Sequence, residues 1–224
     1  MPADPAPRVF LVSPAHCGGK RAELLLGGRG RFPLAERMRM GERVPLGEAF
    51  SFLSGLYFRG KLAYGSRFAR PPAGESGVQV ITSNRGLLPA EAPVGLDELR
   101  AFGLVDIRAD DIRYREPFER DVRRLAADAR TELILLGSVA TGKYVDLLLD
   151  VVGERLLFPT DFVGRGDMSR GALLLRAARE GSELAYQPAA TAARRGRRPR
   201  KDGPADDGNP SGPGARAGTD SEGR

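Results

Sequence analysis

The chain of 224 residues has no tryptophan, one cysteine (Cys17) and one histidine (His16). A lone cysteine excludes an internal disulfide framework, and one cysteine with one histidine excludes a zinc site of the usual Cys/His ligand count. No metal site is assigned, and no residue pattern names a cofactor. Lysine is scarce too: only four of the 35 basic residues are Lys20, Lys61, Lys143 and Lys201. No stretch approaches the roughly 18 uncharged apolar residues that a membrane span needs. The start, MPADPAPR, lacks the basic lead and long apolar run of a secretory signal. These absences predict a soluble cytoplasmic protein with no membrane partner.

Charge is present but local. The formal net charge is +6. The run Arg194, Arg195, Gly196, Arg197, Arg198, Pro199, Arg200, Lys201 carries that whole excess, and the remaining chain is balanced. From Ala189 onward there is no aromatic or large aliphatic residue. Such a segment cannot bury enough apolar area to offset the entropy of ordering it. The reading is a folded body over 1–188 and a disordered Arg/Gly/Pro-rich tail over 189–224.

Inside the body three apolar runs read as buried strands: Val9 to Val12, Val78 to Thr82 and Leu133 to Leu136. Leu104 to Ile107 and Arg155 to Phe158 are weaker strand candidates. Phe118, Val122, Leu125, Ala126 and Ala129 fall on one helical face, with Pro117 just before it. Val139 to Val151, Gly171 to Ala178 (with Ser169 as N-cap) and Glu48 to Tyr57 read as further helices. Continuous apolar strands alternating with helices predict a single three-layer α/β domain with a mostly parallel sheet. Sites in such folds lie outside the carboxyl ends of the strands, which selects loops 13–20, 83–88 and 137–143.

The first loop sets Ser13, His16, Cys17 and Lys20 after a strand. Cys17 beside His16 suggests a nucleophilic pair, although adjacent residues in extended chain point opposite ways and a small semi-buried thiol is the plainer reading. A Ser–His–Asp triad would need His16, and no G-x-S-x-G elbow is present. The second loop offers Ser83, Asn84 and Arg85, or simply a polar turn at Gly86. The third, Gly137 to Lys143, has the G-x-x-x-x-G-K spacing of a phosphate-binding loop between strand and helix. Tyr144 stands where that motif places Ser or Thr for magnesium, so an anion-binding helix start or an ordinary turn is favoured. Lys20, Lys61 and Lys143 each follow a glycine, where a compact ammonium with a tunable pKa has a use. Arg165 and Arg170 flank the last helix start and could grip phosphate, with Asp161 and Asp167 near them to orient a base or sugar.

Phe10-Leu11-Val12-Ser13-Pro14-Ala15 and Leu53-Ser54-Gly55-Leu56-Tyr57 resemble segments of the peroxide stress protein YaaA family. Ile81 to Leu88, and Leu135-Leu136-Gly137 with Tyr144, are similar to elements of related small bacterial domains. The resemblance spans roughly 10–150. It implies a compact α/β body associated with nucleic acid and with protection under peroxide stress. Cys17-x-x-Lys20 is similar to a stretch of archaeosine synthase, which implies base modification; the Pro-Tyr that follows there is missing here, as is the proline-bearing run that YaaA has after Tyr57.

Three classes follow. One is a nucleic-acid-associated protein, with DNA or RNA as partner, whose pocket takes a nucleotide or base. Its catalytic candidates are Lys20, Cys17 and Lys61. Its binding candidates are Ser13, Tyr57, Ser83, Asn84, Arg85, Lys143, Arg165 and Arg170, and the tail residues Arg194 to Lys201 add phosphate affinity. The second is an enzyme acting on a nucleoside or phosphorylated small molecule through the 137–143 turn. The third is a non-enzymatic interaction module. Convergence of loops 13–20, 57–64 and 83–88 on one pocket separates the first from the third.

Overall fold

The computed structural model describes residues 5–139 and 142–192. The basic run 194–201 and its predicted disorder lie outside the described residues. In chain order the elements are β1 (Arg8–Val12), α1 (Lys20–Leu26), α2 (Pro33–Arg39), β2 (Val44–Pro45), α3 (Leu46–Ser54), α4 (Leu56–Phe68), β3 (Val78–Ile81), β4 (Leu87–Pro89), β5 (Pro93–Val94), α5 (Leu96–Gly103), α6 (Ile112–Ala126), β6 (Glu132–Leu136), α7 (Gly142–Val152), β7 (Leu156–Pro159), α8 (Asp167–Glu180), β8 (Tyr186–Pro188) and α9 (Ala189–Ala192).

The main sheet has the order β4-β3-β1-β6-β7-β8. Its four inner strands are parallel, with Phe10 opposite Val78 and Val9 opposite Leu133, and the edge strands β4 and β8 run antiparallel. Val9 to Val12 and Leu133 to Leu136 are completely buried, as expected of parallel strands covered by helices on both faces. The α/β class read from the sequence is therefore the observed one. The path runs from β1 outward to β3 and then returns across β1 to β6. The order thus reverses between β1 and β6, and an open crevice is expected at their carboxyl ends.

Several local readings change. The predicted helix over Glu48 to Tyr57 is two helices, because Gly55 takes φ +69 and ends the first. Helix α6 starts at Ile112, capped by Asp111, which accepts a bond from the Arg113 amide at 3.0 Å. Pro117 therefore sits inside the helix. Its missing N–H forfeits one bond, while the longer helix lets Tyr114 stack on Phe118 with ring centroids 5.2 Å apart. Leu104 to Ile107 is loop, not strand: Leu104 is 78% exposed, so the run is not the buried apolar segment that a strand of this sheet requires. Helix α8 begins at Asp167 after Gly166, with no side-chain cap, so Ser169 is its third residue and not the N-cap. Helix α7 begins at Gly142 rather than Val139. Ala189 is fully buried in α9, so the body extends past 188.

Helices α4 and α8 pack most closely of all pairs, and glycines permit it. A Cβ on Gly60 would lie 2.6 Å from the Gly171 carbonyl oxygen, and one on Gly171 would lie 2.8 Å from the Tyr57 Cα. This backbone contact sets how closely α4 and α8 approach each other. Gly60→Ala should therefore destabilise by about 1–3 kcal/mol from overpacking. At an ordinary helical position the same change gains about 1 kcal/mol. Urea unfolding with an unchanged m-value reads the sign; a raised midpoint would show that the crossing is loose.

Candidate functional site: a crevice floored by a buried lysine

A crevice of about 480 Å³ opens at the carboxyl ends of β1, β3 and β6, where the strand order reverses. Ser13 and Cys17 come to it from the end of β1, Tyr57 and Lys61 from α4, and Thr82 and Ser83 from the end of β3. Ser138, Lys143 and Tyr144 approach from the β6–α7 side, and Asp167 from the start of α8.

Tyr57 and Lys61 are one helical turn apart on the same face of α4, so the ring stands next to the amine. Lys61 is 1% exposed. Its Nζ lies 2.6 Å from the Ser13 carbonyl oxygen and 2.8 Å from Ser13 Oγ. The Tyr57 ring centroid is 4.5 Å away and that of Phe58 is 5.0 Å away. Burial pushes the Lys61 pKa from its ordinary value near 10.5 down to about 7, and the Asp167 carboxylate pulls the other way. The amine is therefore a mixture of neutral and charged forms at neutral pH.

Tyr144 stands on the other side of Ser13. Its phenol accepts the Ser138 amide at 3.1 Å. A Cβ on Gly137 would sit 3.0 Å from both Ser13 Cβ and the Tyr144 hydroxyl, so only glycine leaves room for this meeting. Burial raises the Tyr144 pKa, keeping the phenol protonated. Among the described residues the Tyr57 hydroxyl finds no partner of normal hydrogen-bond geometry. Its pKa is raised first by burial, while the nearby Arg170 charge opposes that shift.

Other candidates fall elsewhere. Cys17 lines the crevice, but burial pushes its thiol up to about 12, and Sγ faces the Ala15 carbonyl at 3.8 Å rather than His16. It is not an activated nucleophile. Ser83 lines the wall but donates to the Phe102 carbonyl at 2.8 Å, and Asn84 Nδ2 donates to Ala101 at 3.2 Å. Both tie the end of α5 to the sheet. Arg85 is 3.8 Å from Glu98, Lys20 is exposed at the start of α1, and neither lines the crevice. Arg165 reaches Ser169. Arg170 donates twice to the Phe162 carbonyl, at 3.2 and 3.0 Å, behind Tyr57. Lys143 stands exposed on the crevice wall.

Three residues that line the crevice were not among the site candidates. Tyr144 drew attention as a misfit to the phosphate-loop pattern and as part of the resemblance, and Phe50 and Phe102 carried no signal of their own. The phosphate-loop reading itself loses ground. The Ser138 amide is already taken by Tyr144, and the Asp146 carboxylate packs against Gly142 where α7 begins, opposing an anion there. Residues 140 and 141 of that turn lie outside the described residues. No group of three or more His, Cys, Asp or Glu able to hold a metal occurs among the described residues. No helix among them is long and apolar enough to cross a membrane. Against known proteins, no family model, curated protein or solved structure matches this chain.

Lys61 makes stability pH-dependent in a defined direction. Its folded pKa is lowered to about 7 from an ordinary value near 10.5. Between those values the unfolded chain binds more protons, so stability contributed at this site rises with pH. Below about pH 7 both states are charged and the full burial penalty applies. Lys61→Met should therefore gain on the wild type, or lose least, at pH 6, and the wild type should recover relative to it towards pH 10. Denaturant titrations of both proteins across that range check this; a pH-independent difference contradicts a buried, depressed amine.

Proposed function

We propose that the protein binds a nucleobase- or nucleoside-sized ligand in the crevice, and that it does so in association with nucleic acid in the cytoplasm. The observation that carries this reading is the convergence of the β1 end, the first turns of α4 and the β3 end on one concavity around Lys61. The crevice volume lies in the range of small-ligand sites. It offers aromatic surface from Tyr57, Tyr144 and Phe102 for a planar group, and hydroxyl and amine groups to orient it. The basic run Arg194 to Lys201 supports sequence-independent affinity for phosphate backbone. The resemblance to YaaA adds protection or modification of nucleic acid as the setting. Lys20, whose exposed position is off the crevice wall, has no part in this version; Lys61 is its central cation.

A free nucleoside phosphate is the second reading, favoured by Lys143 on the wall, where an ammonium could meet a phosphate.

Thermal-shift measurements with nucleobases, nucleosides and nucleotides test both. Ligand at a hundredfold excess over its Kd should stabilise by about 2.7 kcal/mol, or roughly 5–10 °C in Tm. Lys61→Met should remove the shift. Lys143→Ala should remove it only for phosphorylated ligands, if the second reading holds. Labelled duplex, single-stranded DNA and tRNA, titrated by anisotropy across a salt series, test the partner. Replacing the six basic residues of 194–201 by serine should flatten the salt slope, which approaches about −5 if all six meet duplex phosphates. A flat ligand screen together with no nucleic-acid binding at low salt would leave the non-enzymatic module.

A further inference from the structure

The Ser13–Lys61 contact carries more than ligand binding. A hydroxyl serves as a nucleophile when a base lies within hydrogen-bond reach and a third group fixes the geometry. Lys61 Nζ is 2.8 Å from Ser13 Oγ, both atoms belong to residues of the crevice wall, and the Tyr144 hydroxyl stands next to the same serine beside Gly137. The Lys61 Nζ–Ser13 carbonyl bond of 2.6 Å occupies one amine proton and orients the nitrogen towards Oγ. No histidine is needed, and His16 makes no bond to Ser13 among those found.

We propose that Ser13 is a nucleophile and Lys61 its general base, so that the crevice cleaves a carboxylic ester through an acyl-Ser13 intermediate. This goes beyond the ligand reading and does not depend on which group the ester carries. In the first step Ser13 Oγ bonds to the acyl carbon while its proton passes to Lys61 Nζ. The tetrahedral adduct then collapses: the bond from carbon to the leaving oxygen breaks, and that oxygen takes the proton from Lys61. Water, giving a proton to Lys61, next attacks the acyl carbon. Ser13 departs with that proton, releasing a carboxylic acid and restoring the free hydroxyl. The transient ammonium is accommodated by the Ser13 carbonyl and by the faces of Tyr57 and Phe58. A base suited to this work has a pKa near the working pH, and that of Lys61 is lowered to about 7.

The test uses the full chain with p-nitrophenyl acetate and p-nitrophenyl butyrate. Acid-quenched samples are weighed intact by mass spectrometry and mapped by peptide. The expected result is one acyl group on Ser13, formed with a burst of p-nitrophenol and lost by slower turnover. Ser13→Ala should abolish both adduct and burst. Lys61→Met should slow acylation about 100-fold or more, with circular dichroism confirming that each variant is folded. Acylation only at other residues of the wild type, or none at all, overturns the proposal without reference to any variant. So does a folded Lys61→Met protein that acylates Ser13 at the wild-type rate. Nucleoside binding without acylation would overturn this step alone and leave the ligand reading standing.

Discussion

The buried amine of Lys61 is the constraint on which the rest of the site depends. Placing an ammonium in the interior is expensive unless it is paired and hydrogen-bonded. Among the described residues no carboxylate forms an ion pair with it, and Asp167 acts on it only as a nearby charge. The compensation comes from the Ser13 carbonyl and hydroxyl and from two aromatic faces, and from a pKa low enough for the proton to leave. An amine with those partners must sit at the carboxyl end of β1, and this pins α4 to the sheet there. Tyr57, one turn earlier, is carried to the crevice by the same requirement.

Backbone packing supplies the remaining geometry. The glycine contact between α4 and α8 brings Asp167 and Arg170 behind Tyr57, so their opposite charges bear on the same phenol. On the far side of β1, Gly137 leaves the space in which Ser13 meets Tyr144. Ser83 and Asn84 work at one remove, fixing the end of α5 and through it the Phe102 wall. The polar centre is thus assembled from the ends of three strands and from α4, α7 and α8, at the place where the sheet order reverses. A catalytic dyad at that place would use Lys61 as the base, with a pKa low enough for neutral amine to be present near pH 7.

Much of the fold was legible because its signals are local. Val9 to Val12 and Leu133 to Leu136 are apolar on both faces, which only a covered parallel strand tolerates, and the rule of strand carboxyl ends pointed to three loops whose residues Ser13, Ser83 and Ser138 line the crevice. Lys61 stood out by the scarcity of lysine, and Tyr57 by its place in the segment that resembles YaaA. The misreadings share a cause: they turn on contacts distant in sequence. Ser83 and Asn84 look like ligand groups until the end of α5 packs on them. Cys17 looks reactive until its burial is known, and the bond between Tyr144 and the Ser138 amide is invisible in a pattern of spacings. Leu104 to Ile107 resembled a strand because apolar content alone does not reveal that Leu104 faces outward.

Lysine scarcity makes the decisive measurement simple. With lysines labelled at the ε-carbon, four resonances are expected from the four lysines of the chain, and Lys61→Met assigns the one of interest. Titrated by NMR from pH 5 to 11.5, the Lys61 signal should show its midpoint near 7. A Lys61 midpoint above 10 would contradict a buried amine at Ser13, and with it the account of the crevice.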